Sequence, residues 1–133
     1  IVYVLKTLCF SMDFEREKKD EILEIMGFLG KSFETKEEKL EAYALISGMG
    51  PTYFWFQLRH LKELGKSFGL DEEQAKEAIS YMLEGSIKTL FYSKIEEEEV
   101  IDLIPLKPLG EFEEKIKEYY SDKLKGIYEK IKT

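Results

Sequence analysis

The sequence predicts a mainly α-helical fold preceded by a short α/β part. Residues 1–35 follow the order strand, helix, strand, which is typical of an α/β unit. Residues 36–133 carry only helical patterns, in which apolar residues recur three and four positions apart. We therefore predict the end of an α/β domain at residues 1–35 and a helical domain at residues 36–133.

Composition indicates a soluble globular protein with an acidic surface. The 133 residues are 44% hydrophobic and 35% charged, with a net charge of -7. No apolar run approaches the ~20 residues of a membrane span, and the negative charge argues against nucleic acid or anionic membranes as partners. The single cysteine, Cys9, suits a reducing cytoplasm. Abundant Lys and Glu without Asn is the bias expected of a thermophile.

The first 35 residues predict two strands flanking one helix. "IVYVLKTLCF" is rich in β-branched and aromatic residues and is predicted to be a strand covered on both faces. Ser11 or Asp13 is predicted to cap a helix over 14–29, which Gly30 ends, and "KSFE" is the second strand.

The rest of the chain predicts a series of helices. Thr35 is predicted to cap the first, and Gly48 and Gly50 interrupt it. Pro51 restarts the helix, since proline is well tolerated at the first helical position, and Asp71 caps the next one. "PLKPLG" is a stiff turn because neither proline can donate a hydrogen bond. The predicted helices cover residues 36–46, 51–68, 72–90, 95–104 and 111–132.

The helix after Pro51 is apolar around most of its circumference. An ordinary surface helix has one apolar stripe and one polar face, but here "TYFWFQL" leaves little polar surface in the first half. So small a domain cannot bury such a helix alone, so we infer a partner subunit. Gly85 indicates the same, because a glycine within a helix costs up to about 1 kcal/mol unless it permits close helix contact. A monomer with an exposed apolar patch is the alternative.

The stretch "ISGMGPTYFW" is the strongest candidate for a binding site. Backbone N–H groups at 48–50 and 52–54 could hold a carboxylate or phosphate at the start of a helix, with Ser47 and Thr52 as hydroxyl donors. The pattern alone favours a structural kink instead. His60 is the only histidine, so we interpret it as a packed or surface residue and expect no metal site.

Three blocks resemble the pyrroline-5-carboxylate reductase family. "ALISGMGPTYFW" resembles the family's A-L-S-G-S-G-P-A-Y, "LKELGKSFGLDEEQA" resembles L-A-D-A-G-V-K-L-G-L-P-x-x-x-A, and "MLEGSIKTL" resembles V-L-G-S-A-K-L-L. "KTLCF", "GFLGKSFE" and "LEAYALI" are similar to the last strand–helix–strand of the family's Rossmann domain. The resemblance implies a helical dimerisation domain of the 6-phosphogluconate-dehydrogenase-like type, preceded by a remnant of the nucleotide-binding domain.

The resemblance also implies partners and a site. It implies an interlocked homodimer that binds a small-molecule substrate, and a parent protein that uses NADP or NAD to reduce pyrroline-5-carboxylate to proline. The chain begins at Ile1 within an apolar run, which is more typical of a cut chain than of a natural start. The resemblance implies that the first ~90 residues of the parent, including its G-x-G-x-x-G loop, precede Ile1. No cofactor is expected on this fragment alone. The residues implied to border the substrate, between subunits, are Ser47, Gly48, Gly50 and Thr52.

Two departures from the family leave the reaction open. Met49 stands where the family has its second serine, and "LIPLKPLGEF" follows Asp102 where the family has T-S-P-G-G-T-T. A reductase needs oriented donors to hold its substrate against the hydride donor. The chain is therefore either half of a reductase with an altered substrate, or a non-catalytic dimerisation or regulatory module descended from that family. An unrelated α-helical interaction domain is the third hypothesis.

Overall fold

The computed structural model describes residues 5–10, 13–28 and 30–132, which fall into two compact units. One unit comprises the residues up to Thr52 together with those from Tyr119, and the other comprises Tyr53–Glu118. The fold is mainly helical with a short two-stranded sheet, as predicted. The elements are β1 (Lys6–Leu8), α1 (Arg16–Gly27), β2 (Ser32–Glu34), a 3-10 turn (Glu37–Lys39), α2 (Leu40–Tyr43), a π-helical turn (Ala44–Gly48), α3 (Gly50–Ser67), α4 (Glu72–Tyr92), α5 (Glu97–Asp102), a second 3-10 turn (Gly110–Phe112) and α6 (Glu113–Ile131).

The strand–helix–strand prediction is confirmed. β1 and β2 pair in parallel with Thr7 opposite Phe33, and the Thr35 amide donates to the Leu8 carbonyl at 2.8 Å beyond the last pair. Parallel neighbours need a crossover, which α1 supplies. The strand β1 is shorter than predicted and only half-buried, so the prediction that both its faces are covered was wrong for the described residues. Residues 1–4 of the predicted strand lie outside them.

The start of α1 differs from the prediction. The residue preceding the helix is Glu15, and its side chain makes no capping hydrogen bond but instead pairs with Lys18 at 3.0 Å. Asp13 is therefore not the cap, and Ser11 and the predicted helix end at Leu29 lie outside the described residues. The helix ends at Gly27, earlier than predicted. Gly30 follows with a φ of 131°, which glycine adopts without the strain of a side chain.

The predicted helix over 36–46 is broken into three short pieces. The backbone passes from a 3-10 turn to α2 and then to the π-helical turn. Thr35 is not the cap, because its amide continues the strand pairing and the 3-10 turn begins after Lys36 without a side-chain cap. The π-helical turn is marked by the Met49 amide, which donates to the Ala44 carbonyl five residues back at 2.8 Å.

The second unit contains most of α3 and all of α4. The prediction that Asp71 caps α4 is confirmed, with a complete capping box formed with Gln74. Gly69 joins the two helices with a φ of 101°. Ala75 is only 1% exposed and packs against α3, where a β-carbon built at Gly65 would lie 3.4 Å from its own. Gly65 and Ala75 therefore mark a place where α3 and α4 pack against each other.

The later helices are shorter than predicted. α5 occupies Glu97–Asp102 instead of 95–104, and α6 occupies Glu113–Ile131 instead of 111–132. The segment "PLKPLG" forms no α-helix, as its two prolines predict. Within the described part of the chain, Leu45 and Ala75 are the buried hydrophobic residues, and all other large apolar side chains remain partly exposed. The chain by itself therefore has a small core.

Candidate functional site

The four predicted site residues lie along one continuous stretch of backbone. Ser47 and Gly48 belong to the π-helical turn, Gly50 is the first residue of α3, and Thr52 lies in the first turn of α3. All four belong to the first compact unit. The sequence carries no charged residue from Ala42 to Leu58. An anion at this place would therefore depend on backbone amides and the helix dipole.

The two hydroxyl groups of the site donate to the chain itself. Ser47 Oγ donates to the Tyr43 carbonyl at 2.7 Å, and Thr52 Oγ1 donates to the Met49 carbonyl at 2.6 Å. A hydroxyl has one hydrogen to donate and two lone pairs that accept. In this conformation both hydroxyls can accept from a ligand, whereas donating to one requires each to rotate away from its carbonyl.

Some of the predicted amide donors are also engaged. The Met49 amide donates to Ala44, and the Thr52 amide donates to the Met49 carbonyl at 2.9 Å. Pro51 has no amide hydrogen. The stretch therefore forms a closed turn in this structure, which agrees with the kink that the pattern favoured.

The glycines are not required by the backbone of this chain. Neither Gly48 nor Gly50 has a positive φ, and a β-carbon built on either meets nothing within 4 Å. Gly50 is buried and Gly48 is exposed. The described residues would therefore accommodate a β-carbon at either position.

Sequence reasoning missed the π-helical turn and a cavity beside it. The turn has no periodic signature, although the "GMG" stretch did indicate an interruption. The cavity holds about 220 Å³ in the first unit, between the turn and the end of α6. It is lined by Ala42, Leu45, Ile46, Leu124, Lys125 and Tyr128. Since every lining group except Lys125 and the Tyr128 hydroxyl is apolar, the cavity suits an apolar side chain more than an anion.

A second cavity lies where the two strands end. It holds about 550 Å³, and its lining includes Cys9 after β1 and Thr35 after β2. Ligands of open α/β sheets bind at the carboxyl ends of strands. The lining also includes Glu34, which pairs with Lys19 at 2.7 Å, together with Lys36 and Glu37, so its charges are mixed and do not select an anion.

The single histidine and the single cysteine lie at the surface. His60 on α3 and Cys9 are both exposed. Among residues 5–10, 13–28 and 30–132, no cluster of three or more His, Cys, Asp or Glu side chains could hold a metal ion. No helix in that part of the chain has both the length and the apolar character needed to cross a membrane.

The described residues form a helical domain after a two-stranded sheet, with the "GMGP" turn at the start of α3. The family profile described as "Pyrroline-5-carboxylate reductase dimerisation" matches residues 37–125. The chain therefore belongs to the pyrroline-5-carboxylate reductase dimerisation family.

Curated relatives carry the same name. The chain is 29% identical over 83 residues to the pyrroline-5-carboxylate reductase of Staphylococcus aureus (strain COL), covering 62% of this chain and 31% of the relative. It is 27% identical over 93 residues to that of Staphylococcus saprophyticus, covering 70% and 34%. The chain thus spans about a third of the length of the curated relatives it matches.

Solved structures show the same fold. A Plasmodium falciparum pyrroline carboxylate reductase with NADP bound matches with a TM-score of 0.76 and 22% identity, over 95% of this chain and 51% of that one. A 1-pyrroline-5-carboxylate reductase from Streptococcus pyogenes matches with a TM-score of 0.78 and 19% identity, over 98% and 53%.

Proposed function

We propose that this chain is the dimerisation and substrate-site half of an NAD(P)-dependent reductase resembling pyrroline-5-carboxylate reductase, and that it forms a homodimer through its helices. The family match over residues 37–125 supports the assignment, and it begins next to the proposed domain boundary at residue 36. In this proposal residues 1–35 end a nucleotide-binding domain, the protein is cytoplasmic, and its cofactor is NADP or NAD.

The exposed apolar surface is the observation that carries the homodimer. Phe54, Trp55 and Phe56 are 50%, 65% and 68% exposed on α3, and Phe91 is 60% exposed on α4. Single exposed apolar residues are normal, but three successive aromatic residues point about 100° apart around α3, so apolar side chains are exposed over much of its circumference, which supports a partner on this helix. A β-carbon built at Gly85 meets nothing within 4 Å in the chain, so a close helix contact at this glycine would have to come from a partner.

Light scattering at micromolar concentration tests the homodimer. We expect about twice the chain mass of 15.6 kDa. As a check on the surface, Trp55→Asp should shift the mass toward the monomer, because it puts a charge into the proposed interface. Lys94→Asp, at an exposed position between α4 and α5, is the matched control and should leave the mass unchanged. A monomer for the unaltered chain would refute the proposal.

The substrate site is proposed at Ser47, Gly48, Gly50 and Thr52. An oriented carboxylate there would draw on the dipole of α3, which is long enough for a substantial field at its start. NADPH oxidation with pyrroline-5-carboxylate, measured on the full-length gene product, tests the activity. Gly48→Val should raise KM while leaving the fold intact, because the space beside Gly48 is open in the single chain. Unaltered kinetics in that variant would remove Gly48 from the proposed site.

A non-catalytic dimerisation or regulatory module remains the second candidate. It is favoured by the closed turn, in which both site hydroxyls donate to backbone carbonyls, and by Met49 in place of a family serine. A protein that is dimeric by light scattering but shows no turnover with either NADPH or NADH would support this candidate over the reductase.

A further inference from the structure

A surface groove runs between α3 and α4 in the second unit. It holds about 290 Å³, just below the range of about 300–1,000 Å³ typical of small-molecule pockets. An apolar groove between two helices is instead the usual seat of an amphipathic segment from another chain. Its floor is formed by the half-buried side chains of Leu58, Ile79 and Leu83.

The rim of the groove is positively charged. Arg59, Lys62 and Lys76 line it, and no carboxylate does. Lys62 pairs with Glu72 at 3.3 Å, and Lys76 pairs with Glu73 at 2.7 Å and with Glu72 at 3.4 Å, so the charges of both lysines are largely neutralised. Arg59 has no hydrogen bond or ion pair with any residue that the structure describes. Arg59 therefore supplies the rim charge that is left for an acidic occupant, since the two lysines are already paired.

The chain itself contains a segment of matching chemistry. On α5, Glu97 and Glu98 precede Ile101 by four and three residues and therefore share its face. Ile101 is 55% exposed and Ile104, just beyond the helix, is 70% exposed. The side chains of Glu97 and Glu98 form no ion pair within the described part of the chain. This segment presents carboxylates without ion pairs next to exposed apolar side chains. It therefore matches a groove with an apolar floor and an arginine on its rim.

We propose that the groove between α3 and α4 binds the α5 segment of a second copy of this chain, with Arg59 facing Glu97 and Glu98. The inference rests on the homodimer proposed above and adds which surfaces meet. The α5 helix of the same chain is a less suitable occupant of the groove. It follows the end of α4, and α4 continues for about 13 Å beyond Leu83 at 1.5 Å per residue. In a two-fold dimer each contact occurs twice, so its energetic effect is doubled.

Cross-linking between differently tagged copies tests which surfaces meet. Both copies carry Cys9→Ser; one also carries Arg59→Cys and the other Glu98→Cys, and the two are co-expressed. A short bis-maleimide is the reagent, because a disulfide requires α-carbons within about 7 Å, closer than an Arg–Glu pair holds them. We expect a covalent dimer containing both tags. Lys88→Cys in place of Arg59→Cys is the matched control, since Lys88 pairs with Glu84 of its own helix, and should give none.

Charge reversal supplies an independent measurement on the intact chain. Arg59→Glu should weaken the dimer about 100-fold, as like charges meet twice. Adding Glu97→Lys and Glu98→Lys should restore most of the affinity, whereas Lys88→Glu should have no effect. A dimer that persists without cross-linking and tolerates Arg59→Glu would overturn the groove contact while leaving the homodimer standing. A monomeric unaltered chain would overturn both, and circular dichroism verifies that each variant is folded.

Discussion

The starts of α3 and α4 are built in different ways. At α4 the side chains close the helix: Asp71 Oδ1 accepts from the Gln74 amide at 2.8 Å, and Gln74 Oε1 accepts from the Asp71 amide at 2.9 Å. At α3 a π-helical turn leads into Gly50, and the nearby hydroxyls of Ser47 and Thr52 donate to carbonyls. Side-chain oxygens accept from the amides at the start of α4, whereas backbone carbonyls accept from the amides and hydroxyls near the start of α3.

The difference between the two helix starts indicates which of them is the better candidate for a binding site. The capping box engages the Asp71 and Gln74 amides at the start of α4, so these two donors serve the stability of the helix. The start of α3 has small, uncharged residues and a π-helical turn, a feature frequent at functional sites. We therefore expect substitutions around α4 to lower stability, and substitutions around the π-helical turn to affect stability little.

Ala75→Leu should give the largest loss on the α4 side. Ala75 is 1% exposed and faces Gly65 across the two helices, so three extra carbons must displace α3. We expect the free energy of unfolding to fall by about 1–3 kcal/mol. Urea denaturation at a fixed protein concentration measures it. Ala78→Leu, at an exposed position on the same helix, should stay within about 0.5 kcal/mol. Equal losses in both variants would show that packing against α3 is not the cause.

Gly69→Ala and Gly48→Ala should act in opposite directions. The φ of 101° at Gly69 is unfavourable for any side chain, so we expect a loss of about 1–2 kcal/mol in unfolding free energy. Gly48 lacks a positive φ and has open space beside it, so alanine there should stabilise the chain by about 0.4–1 kcal/mol through the unfolded state. Thermal unfolding at one concentration compares them. A loss at Gly48 equal to that at Gly69 would contradict the comparison.

Asp71→Ala and Thr52→Ala compare the two helix starts directly. Removing the Asp71 carboxylate leaves a Gln74 amide without its acceptor, and this should cost about 1 kcal/mol. Thr52 only donates to a carbonyl at an exposed position, so its removal should cost at most about 0.5 kcal/mol. Urea midpoints measure both. If Thr52→Ala costs more than Asp71→Ala, the threonine hydroxyl holds the π-helical turn in place.

The same contrast explains what the sequence could predict. Asp71 and Gln74 form a capping box through residues three apart, so a local rule identifies the start of α4. The strand pairing was also predictable, because a short apolar strand, a helix and a second strand fit one parallel unit. The caps proposed at Asp13 and Thr35 were wrong, although both residue types are common helix caps. At Thr35 the backbone amide extends the strand pairing by donating to the Leu8 carbonyl.

The candidate site was less predictable than the fold. Periodicity identifies a helix and its interruption, but it does not distinguish α from π hydrogen bonding, such as the bond from the Met49 amide to the Ala44 carbonyl. The directions of the Ser47 and Thr52 hydroxyls likewise follow from nearby carbonyls, which a sequence pattern does not place. The substrate site at these residues stays a prediction.

Glu72→Gln should give the smallest effect, and this effect should depend on pH. Lys62 and Lys76 hydrogen-bond to the Glu72 carboxylate and hold its pKa below the ordinary value of 4.5. A carboxyl with a lowered pKa in the folded state contributes stability that is present above its unfolded pKa and is lost as the pH falls through the folded pKa. At neutral pH the variant should therefore unfold at a slightly lower temperature than the unaltered chain, and the difference should shrink as the pH falls below 4.5 and vanish below the lowered pKa of the folded state.

Salt and a matched variant separate this ion pair from other causes. Because the groups are exposed, added salt should also reduce the difference at neutral pH. Glu111→Gln is the control, since the Glu111 carboxylate makes no ion pair with any described residue, and its effect should not vary with pH in the same way. A Glu72→Gln difference that stays constant from neutral to acidic pH would mean that the glutamate acts through the α4 dipole or through packing. The start of α4 would then owe its stability to the capping box rather than to the lysines that reach it from α3 and α4.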